Sequence, residues 1–317
     1  MPHDHFSVII PSWNGSKLLP SCLDAMRTQT YRSFDVHVVD NASSDDTPDL
    51  VRERYPWVHL LQLPSNRGFT GAVNAGILAS EGSWVALLNQ DVEADQHWLE
   101  AMATAGRESP QIGAIACKIL LHGQRDHFHS AGDGYRVDGI PVNRGVWQRD
   151  TGQYDAQTTV FSACGGAGAY RRAMLEDVGL LDESFFMYLE DVDLAWRHQL
   201  AGWPTMYVPQ AVAYHHLSAS GAGRVASYLT GRNTVSVIVK NVPAPLLQRH
   251  GTAMLAAQWR IAYEALRAWR GEAARARLRG LLAGLLTAPL RVRQRRAVQQ
   301  TRRVPIEHIE ELLQPID

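Results

Sequence analysis

The chain has 317 residues, 45% of them hydrophobic, and a formal net charge of −1. This length allows one large α/β domain with an appended element, and this hydrophobic content argues against an extensively disordered chain. The three cysteines have no short pairing, which argues against a disulfide framework and suits a reducing cytosol. The sequence shows no basic segment followed by a long apolar run and no apolar stretch near the roughly 20 residues of a bilayer crossing, so we expect neither a signal peptide nor a membrane span.

Short apolar runs alternate with helical patterns over the first hundred residues. In chain order the pattern predicts strand 7–10, helix 17–30, strand 36–39, helix 47–55, strand 58–62, helix 70–80 and strand 84–88. Strands separated by helices form right-handed β–α–β units, so the predicted fold class is α/β with a mostly parallel sheet. Ligands of such sheets bind beyond the carboxyl ends of the strands.

The middle of the chain has weaker periodicity. Residues 120–159 are rich in Gly, His, Asp and Arg and are predicted to form loops or hairpins over the ligand edge of the sheet. A Gly-rich segment at 164–168 precedes a helix predicted near 171–177, and a further helix is predicted from about 189 to 201.

The C-terminal part has a different composition. Between residues 251 and 303, twelve arginines stand against only Glu264 and Glu272, with leucines and alanines at helical spacing. This pattern predicts one or two basic amphipathic helices, typical of an anionic membrane surface or of a packing or oligomerisation segment. We divide the chain into a domain over 1–240 and a helical, Arg-rich extension over 241–317.

Polar residues follow three of the predicted strands. They are Trp13-Asn14, Asp40-Asn41 and Asn89-Gln90-Asp91. Asp40 could accept hydrogen bonds from a pyrimidine edge, or simply cap a turn. Asp91 delivers a carboxylate just past a buried strand, and Mg²⁺ or Mn²⁺ prefers such oxygen ligands together with substrate phosphates. Residues 66–71 form a glycine-containing turn that opens a helix, which can present N–H groups to an anion or can be a plain loop.

An acidic run is the strongest local feature. Glu190, Asp191 and Asp193 fall within four positions, among aromatic and aliphatic residues. A carboxylate with buried surroundings can be tuned as a general base, whereas the alternative is that these acids cap a helix and pair with Arg197. The pair His215-His216 offers an imidazole for a metal or a phosphate, or has a structural role.

Six segments together resemble the family 2 glycosyltransferases of the GT-A fold, especially their bacterial rhamnosyltransferase-like branch. They are VIIPSWNG, VVDNASSDDT, NRGFTGAVNAGI, WVALLNQDVEAD, GGAGAYRRAMLEDVGLLDESFFMYLEDVDLAWR and AVAYHHLSASG. They occur in the order of the family and cover roughly residues 6–240. The resemblance implies a GT-A-type sheet flanked by helices and transfer of a sugar from a nucleotide donor.

The resemblance also assigns residues to the donor. The nucleotide-binding residues it implies are Pro11, Trp13, Asn14, Asp40, Asn66, Arg67, Gly68, Asn74, Asn89 and Gln90. Asp91 matches the last acid of the metal-binding D-x-D or N-x-D element, whose first position here is the amide of Asn89. His215, with His216 as its rival, falls where the family places a metal or diphosphate ligand, and Arg232 could reach the diphosphate.

In the implied mechanism, Asp191 is the catalytic base of an inverting displacement and Glu190 contacts the acceptor. The cofactor is Mg²⁺ or Mn²⁺, the leading donor is dTDP-rhamnose with UDP-linked hexoses as the alternative, and the acceptor is a glycan or a lipid-linked sugar. We expect a cytoplasmic location, with the basic helices on the inner face of the membrane. Self-association stays open.

Two other functions fit the sequence less well. A catalytically inactive nucleotide-sugar-binding subunit would tend to lose Asp91, Asp191 or His215, and all three are present. A nucleotidyltransferase usually carries a basic Gly-rich loop after the first strand, where this chain has only Lys17. The basic tail lacks an aromatic ladder or base-reading motif, so we expect no nucleic acid partner.

Overall fold

The computed structural model describes residues 4–217 and 223–316. The strands are β1 (Phe6–Ser12), β2 (Phe34–Asp40), β3 (His59–Gln62), β4 (Trp84–Leu88), β5 (Val92–Ala94), β6 (Ala114–Leu121), β7 (Gln124–Ala131), β8 (Asp133–Tyr135), β9 (Pro141–Asn143), β10 (Thr159–Val160), β11 (Ala167–Arg171) and β12 (Thr205–His215). The helices are α1 (Leu19–Arg27), α2 (Thr47–Arg54), α3 (Gly68–Leu78), α4 (Trp98–Glu108), α5 (Arg172–Val178), α6 (Glu190–Leu200), α7 (Arg224–Asn241), α8 (Ala244–Arg267), α9 (Glu272–Gln300) and α10 (Ile306–Leu312), with a 3-10 turn at Glu183–Phe185.

One large sheet organises the molecule. Its strand order is β10-β12-β6-β11-β4-β1-β2-β3, with β5 added beside β12 and β7 beside β6. The pairs β1–β2, β1–β4, β2–β3 and β6–β12 are parallel. This confirms the predicted α/β class with a mostly parallel sheet.

The central strands are apolar because helices cover both of their faces. In β1, Val8 and Ile10 pack into the core on the α1 side, whereas Ile9 packs into the core on the α3 side. Every residue of β4 is buried. Continuous apolar runs are typical of strands covered on both faces, which is why the strand predictions over residues 7–88 are confirmed.

The sheet departs from the sequence prediction at its centre. The Gly-rich segment was expected only to lead into a helix, but Ala167–Arg171 forms β11, which runs antiparallel between β4 and β6. A Cβ placed on Gly168 would lie 3.0 Å from the carbonyl oxygen of Ile115, so small residues are needed there. Small residues carry little strand signal, so the sequence did not predict this strand, whereas the helix predicted near 171–177 is confirmed by α5. The predicted hairpins over 120–159 are confirmed by β7, β8 and β9.

The C-terminal region is helical, as predicted, and it packs onto the sheet domain through α7. Helices α7 and α9 approach closely at glycines: a Cβ on Gly280 would collide with the carbonyl of Tyr228, and one on Gly231 would lie 2.7 Å from the carbonyl of Arg277. None of the helices within residues 4–217 and 223–316 has the length and apolarity to cross a membrane. The division of the chain at residue 240 stays a prediction.

Candidate active site

The predicted site residues come from distant segments that meet at one edge of the sheet. The N–H of Asn89, just after β4, donates to the carbonyl of Gly166 at 2.9 Å. The N–H of the adjacent Gly165 donates to Oδ2 of Asp191 at 2.9 Å. Gly165 and Gly166, which precede β11, thus connect the backbone at the end of β4 to the first turn of α6. This connection lies at the carboxyl end of the parallel strands.

Asn41 holds the glycine-containing turn in place, a role that the sequence did not assign. Its Nδ2 donates to Oδ1 of Asn66 at 3.1 Å and to the carbonyl of Gly68 at 3.0 Å, and its Oδ1 accepts from the N–H of Arg67 at 2.8 Å. Gly68 has a φ of +70°, and a Cβ there would collide with the carbonyl of Phe186. Asn66, Arg67 and Gly68 therefore lie against the loop that leads to the acidic run.

Asp40 lies at the end of β2 and is 2% exposed. Its Oδ2 accepts a long 3.4 Å hydrogen bond from the N–H of Ser43. Asn14 has a left-handed φ of 51°, and its Oδ1 accepts from the N–H of Ser44 at 2.8 Å. Asn14 thus shapes the loop after β2, while Pro11 belongs to β1 and Trp13 stays 54% exposed beside it.

Gln90 ties the end of β1 to the end of β4. Its Oε1 accepts from Oγ of Ser12 at 2.7 Å and from the N–H of Trp13 at 3.2 Å. The side-chain carbonyl oxygen of Gln90 thus already has two protein donors. Its predicted contact with a nucleotide stays a prediction.

Arg67 and Asn74 both contact the segment before the acidic run. Arg67 donates to both carboxylate oxygens of Glu183 at 2.8 and 2.9 Å. Asn74 is buried and exchanges hydrogen bonds with the backbone of Leu181 at 2.9 and 3.1 Å. Their nucleotide-binding roles stay predictions, and the structure gives both a clear positioning role.

A carboxylate and an imidazole suited to one divalent cation lie at the end of β12. Oδ2 of Asp91 is 3.4 Å from Nε2 of His215, whereas Nε2 of His216 pairs with Glu93 at 2.9 Å. Nδ1 of His215 lies 3.2 Å from Nδ1 of His129, and burial together with the His215 charge lowers the pKa of His129 to about 4. A carboxylate oxygen and an imidazole nitrogen this close can both coordinate one ion, and one ligand atom each of Glu93, His122 and His216 also lie within 4.8 Å of one another, so the choice of His215 over His216 stays a prediction.

Three predicted site residues carry buried side-chain oxygens that have no hydrogen-bond partner within residues 4–217 and 223–316. These atoms are Oδ1 of Asp40, Oδ1 of Asn89 and Oε2 of Glu190. Buried polar atoms are nearly always hydrogen-bonded, and leaving one unpaired costs about 1–3 kcal/mol. Such atoms at the ligand edge of the sheet are set to accept hydrogen bonds or to ligate a cation.

The catalytic candidates lie in a buried group of acids. Burial raises the pKa of Asp191, and burial together with the Asp191 charge raises the pKa of Glu190 well above its ordinary value. Asp133, at the start of β8, has its pKa raised to about 7 by burial and by Asp191, and its Oδ1 accepts from Ser130 at 2.5 Å. One ligand atom each of Asp133, Asp191 and Cys164 lie within 4.8 Å of one another. Asp133 could not be predicted from the sequence, because only the fold brings it close to α6.

The third acid of the run is different. Asp193 is fully buried and pairs with Arg197 at 3.0 Å and with Lys240 at 2.8 Å, while Asn241 donates to it at 2.8 Å. Although burial opposes ionisation, the two cations lower the pKa of Asp193. The alternative prediction that an acid of this run pairs with Arg197 therefore holds for Asp193.

A strained loop presents the acids to the site. Phe186, Tyr188 and Leu189 all have left-handed φ angles, between 64° and 67°, which are costly for residues with side chains. Asn233 of α7 is fully buried and stabilises this loop through its amide. Its Nδ2 donates to the carbonyls of Phe185, Met187 and Tyr188 at 3.1, 2.9 and 2.7 Å.

Arg232 also contacts this region. Its Nη2 donates to the carbonyls of Ser184 and Phe185 at 3.0 and 2.6 Å, and burial lowers its pKa. The guanidinium of Arg232 thus already has two backbone partners. Its predicted contact with a diphosphate stays a prediction. The sequence predicts a role for Arg232 but none for Asn233, because the three acceptors of Asn233 lie more than 40 residues away.

The chain belongs to the glycosyl transferase family 2, whose model matches residues 7–179. It is a glycosyltransferase of the GT-A fold. Over 74% of its length it is 29% identical to the N-acetylglucosaminyl-diphospho-decaprenol L-rhamnosyltransferase of Mycobacterium tuberculosis, of which the match covers 83%.

Solved structures agree on the fold. GalNAc-T7, solved with UDP, GalNAc and Mn²⁺, superposes with a TM-score of 0.61 and 16% identity over 74% of this chain and 48% of that one. The mannosyltransferase PcManGT from Pyrobaculum calidifontis, in complex with GDP-Man and Mn²⁺, superposes with a TM-score of 0.54 and 17% identity over 97% of this chain and 83% of that one. Both neighbours were solved with a nucleotide or nucleotide sugar and Mn²⁺, and at these identities the likeness concerns the fold.

Proposed function

We propose that this glycosyltransferase moves L-rhamnose from dTDP-rhamnose, with inversion, onto a hydroxyl of a lipid-linked or glycan acceptor. The donor sugar and the lipid-linked acceptor are supported by the similarity to the mycobacterial rhamnosyltransferase. UDP-linked hexoses are the alternative donors. The transfer would take place on the cytoplasmic side of a membrane, and the basic C-terminal helices would contact the membrane surface.

One observation carries the proposal: within the described part of the chain, the acids in the first turn of α6 divide into Asp193, which is ion-paired, and Glu190 and Asp191, which have no cationic side chain as a partner. The partners of Asp191 are neutral backbone donors: it accepts hydrogen bonds from the N–H groups of Gly165 at 2.9 Å and Val192 at 2.8 Å. Its pKa is raised by burial, so its proton affinity is higher than that of a surface aspartate. This is the environment that a general base for a sugar hydroxyl needs.

In the proposed step, Asp191 takes the proton of the acceptor hydroxyl as that oxygen forms a bond to the anomeric carbon. The bond between the anomeric carbon and the diphosphate oxygen breaks, and the electron pair leaves with the nucleoside diphosphate. Attack from the opposite face inverts the anomeric configuration. No second carboxylic acid is required, because a diphosphate leaves without being protonated by the protein.

The residues present fit a divalent cation. Asp91 and His215 would hold it, and the buried Oδ1 of Asn89 is a further oxygen close to Asp91 in the chain, just after β4. The chemistry supplied by bound Mg²⁺ or Mn²⁺ is stabilisation of negative charge on the leaving diphosphate. On the nucleotide side, Oδ1 of Asp40 would accept a hydrogen bond from the imide N–H of a thymine or uracil ring.

A thermal-shift panel tests the proposal. Purified protein is heated with dTDP, UDP or GDP, each with Mn²⁺, with Mg²⁺ or with EDTA. Ligands that bind only the folded state stabilise it, by about 2.7 kcal/mol at a hundredfold excess over Kd. We expect metal-dependent stabilisation by dTDP or UDP that exceeds that by GDP, and we expect Asp91→Ala to abolish the metal dependence.

Turnover is measured alongside, as release of nucleoside diphosphate from dTDP-rhamnose with a GlcNAc-diphospho-lipid of short chain. Binding without any turnover on this acceptor or on a panel of glycans would favour the second candidate, a nucleotide-sugar-binding subunit. Absence of stabilisation by every nucleotide diphosphate contradicts the proposal.

A further inference from the structure

Helix α8 presents a stripe of large apolar side chains to solvent. The stripe consists of Leu255, Trp259, Tyr263 and Leu266, of which Trp259 is 71% exposed, and the exposed Trp269 continues it in the turn after the helix. Steps of three and four residues place these side chains on one helix face. The opposite face is buried against the protein through residues such as Met254, Ala257 and Ala265. Exposed stripes of this size mark interaction surfaces.

Helix α9 carries a second stripe, and arginines extend it at both ends. Its apolar members are Leu282, Leu285, Leu286 and Leu290, of which Leu286 is 73% exposed. At 100° per residue, Arg279 and Arg293 fall on the same face of the helix, about one turn before Leu282 and one turn after Leu290. The two helices are neighbours, joined by the turn at residues 268–271.

The region around the stripes is strongly basic. Residues 251–303 contain twelve arginines and only two acids, Glu264 and Glu272. Some of the arginines stabilise the fold, such as Arg303, which pairs with Asp177 at 2.7 Å. Others are exposed to solvent, namely Arg267, Arg270, Arg279, Arg293 and Arg296. The surface therefore combines apolar side chains with uncompensated positive charge.

We propose that this docking surface, the two stripes of α8 and α9 with their exposed arginines, binds the surface of an anionic lipid bilayer. Amphipathic helices with Trp, Tyr and Leu on one side and arginines beside them lie in the headgroup region of membranes. A second copy of the chain fits less well, because a two-fold contact through the same patch would bring like arginines together. The inference rests on the proposed function in that a lipid-linked acceptor is presented at such a surface.

The docking surface is connected rigidly to the catalytic loop. Helix α9 packs onto α7, and Nη1 of Arg291 donates to Oγ of Ser184 at 2.7 Å in the segment before the acidic run. Helix α7 in turn carries Asn233, which stabilises the strained loop. Docking through α8 and α9 would therefore fix the position of the active site relative to the membrane.

Vesicle binding tests the inference with the full-length protein. Co-sedimentation is measured with vesicles of phosphatidylcholine alone and with vesicles containing phosphatidylglycerol. We expect binding to the anionic vesicles that weakens with salt, and a loss of about tenfold or more in the double variant Trp259→Ser/Leu286→Ser. The matched control is Leu78→Ser on α3, a 77% exposed leucine outside the docking surface, which should bind like the wild type.

A charge variant completes the test. Arg293→Gln/Arg296→Gln should weaken binding to anionic vesicles by about fivefold for each arginine. Absence of binding to anionic vesicles, equal loss in the Leu78 control, or a dimer in analytical ultracentrifugation that the Trp259→Ser/Leu286→Ser variant dissolves would each overturn the inference. Stabilisation by dTDP or UDP is measured on the same samples, so failure of membrane docking is distinguishable from failure of the proposed transfer activity.

Discussion

Two sides of one helix turn carry acids with opposite environments. Asp191 faces the Gly165 loop and accepts hydrogen bonds from backbone N–H groups, whereas Asp193 faces α7 and pairs with Lys240 and Arg197. The pKa of Asp191 is raised by burial, and the pKa of Asp193 is lowered by its cations. The difference teaches that two aspartates in one helix turn can have different roles: Asp193 is fully buried between cations, whereas Asp191 is only half-buried and has backbone N–H groups as its partners.

The largest effect on stability is expected when Asp193 loses its charge. Asp193→Asn leaves the buried Arg197 without its carboxylate partner and leaves Lys240 with Asp182 alone, so the free energy of unfolding should fall by about 3 kcal/mol or more. Urea denaturation measures this, and Asp191→Asn is the matched control in the same helix turn. The Asp191 variant should stay close to the wild type, since no cation loses its partner. Equal destabilisation of both variants would contradict the claim that only Asp193 stabilises the fold through its cationic partners.

The next largest effect is expected on the rate of transfer, when the strained loop before α6 loses its contact with α7. Asn233→Ala removes the donor for three backbone carbonyls at a loop with left-handed residues. We expect kcat to fall by about tenfold to a hundredfold, because the base is misplaced, while the KM for the donor changes little. Ser236→Ala, one turn along α7, removes a hydrogen bond to Arg232 within the helix and serves as the control. A rise in donor KM without a change in kcat would contradict the positioning role.

A smaller effect is expected from pH, because activity and stability should be lost at different pH values on acidification. Asp191 must be ionised to act as a base, and its folded pKa is raised, so kcat/KM should fall as the pH drops through a value above the ordinary aspartate pKa of about 3.9. Asp193 has a lowered folded pKa, so its contribution to stability is present above the unfolded value and is lost only at lower pH. Activity should therefore disappear on acidification before this stabilisation does. Coincident loss of both, followed by circular dichroism and by initial rates, would contradict the assignment.

Much of the fold could be predicted from periodicity. The apolar strands β1, β2 and β4 and the polar residues at their ends have local signals, because both faces of the strands are covered and the ligand edge is polar. The antiparallel strand β11 could not be predicted in this way, since its alanines and glycine are selected by close backbone approach at Ile115. Tertiary packing, rather than propensity, decides that strand.

The candidate site was predictable only in part. Asp40, Asp91, Asp191 and His215 follow recognisable strand ends or an acidic run. Their supporting residues carry no local signal, because Asn41, Asn233, His129 and Asp133 act through hydrogen bonds and burial that the fold creates over long sequence separations.

The most direct test of the account is the rate of sugar transfer by Asp191→Asn with a matched measurement of donor binding. The substitution keeps the shape of the side chain and removes the base, so transfer should fall by about 10²-fold to 10⁴-fold. Stabilisation by the metal–nucleotide complex should stay near that of the wild type, because Asp91 and His215 are unchanged. Transfer at the wild-type rate in the folded variant would contradict the central claim that Asp191 is the catalytic base.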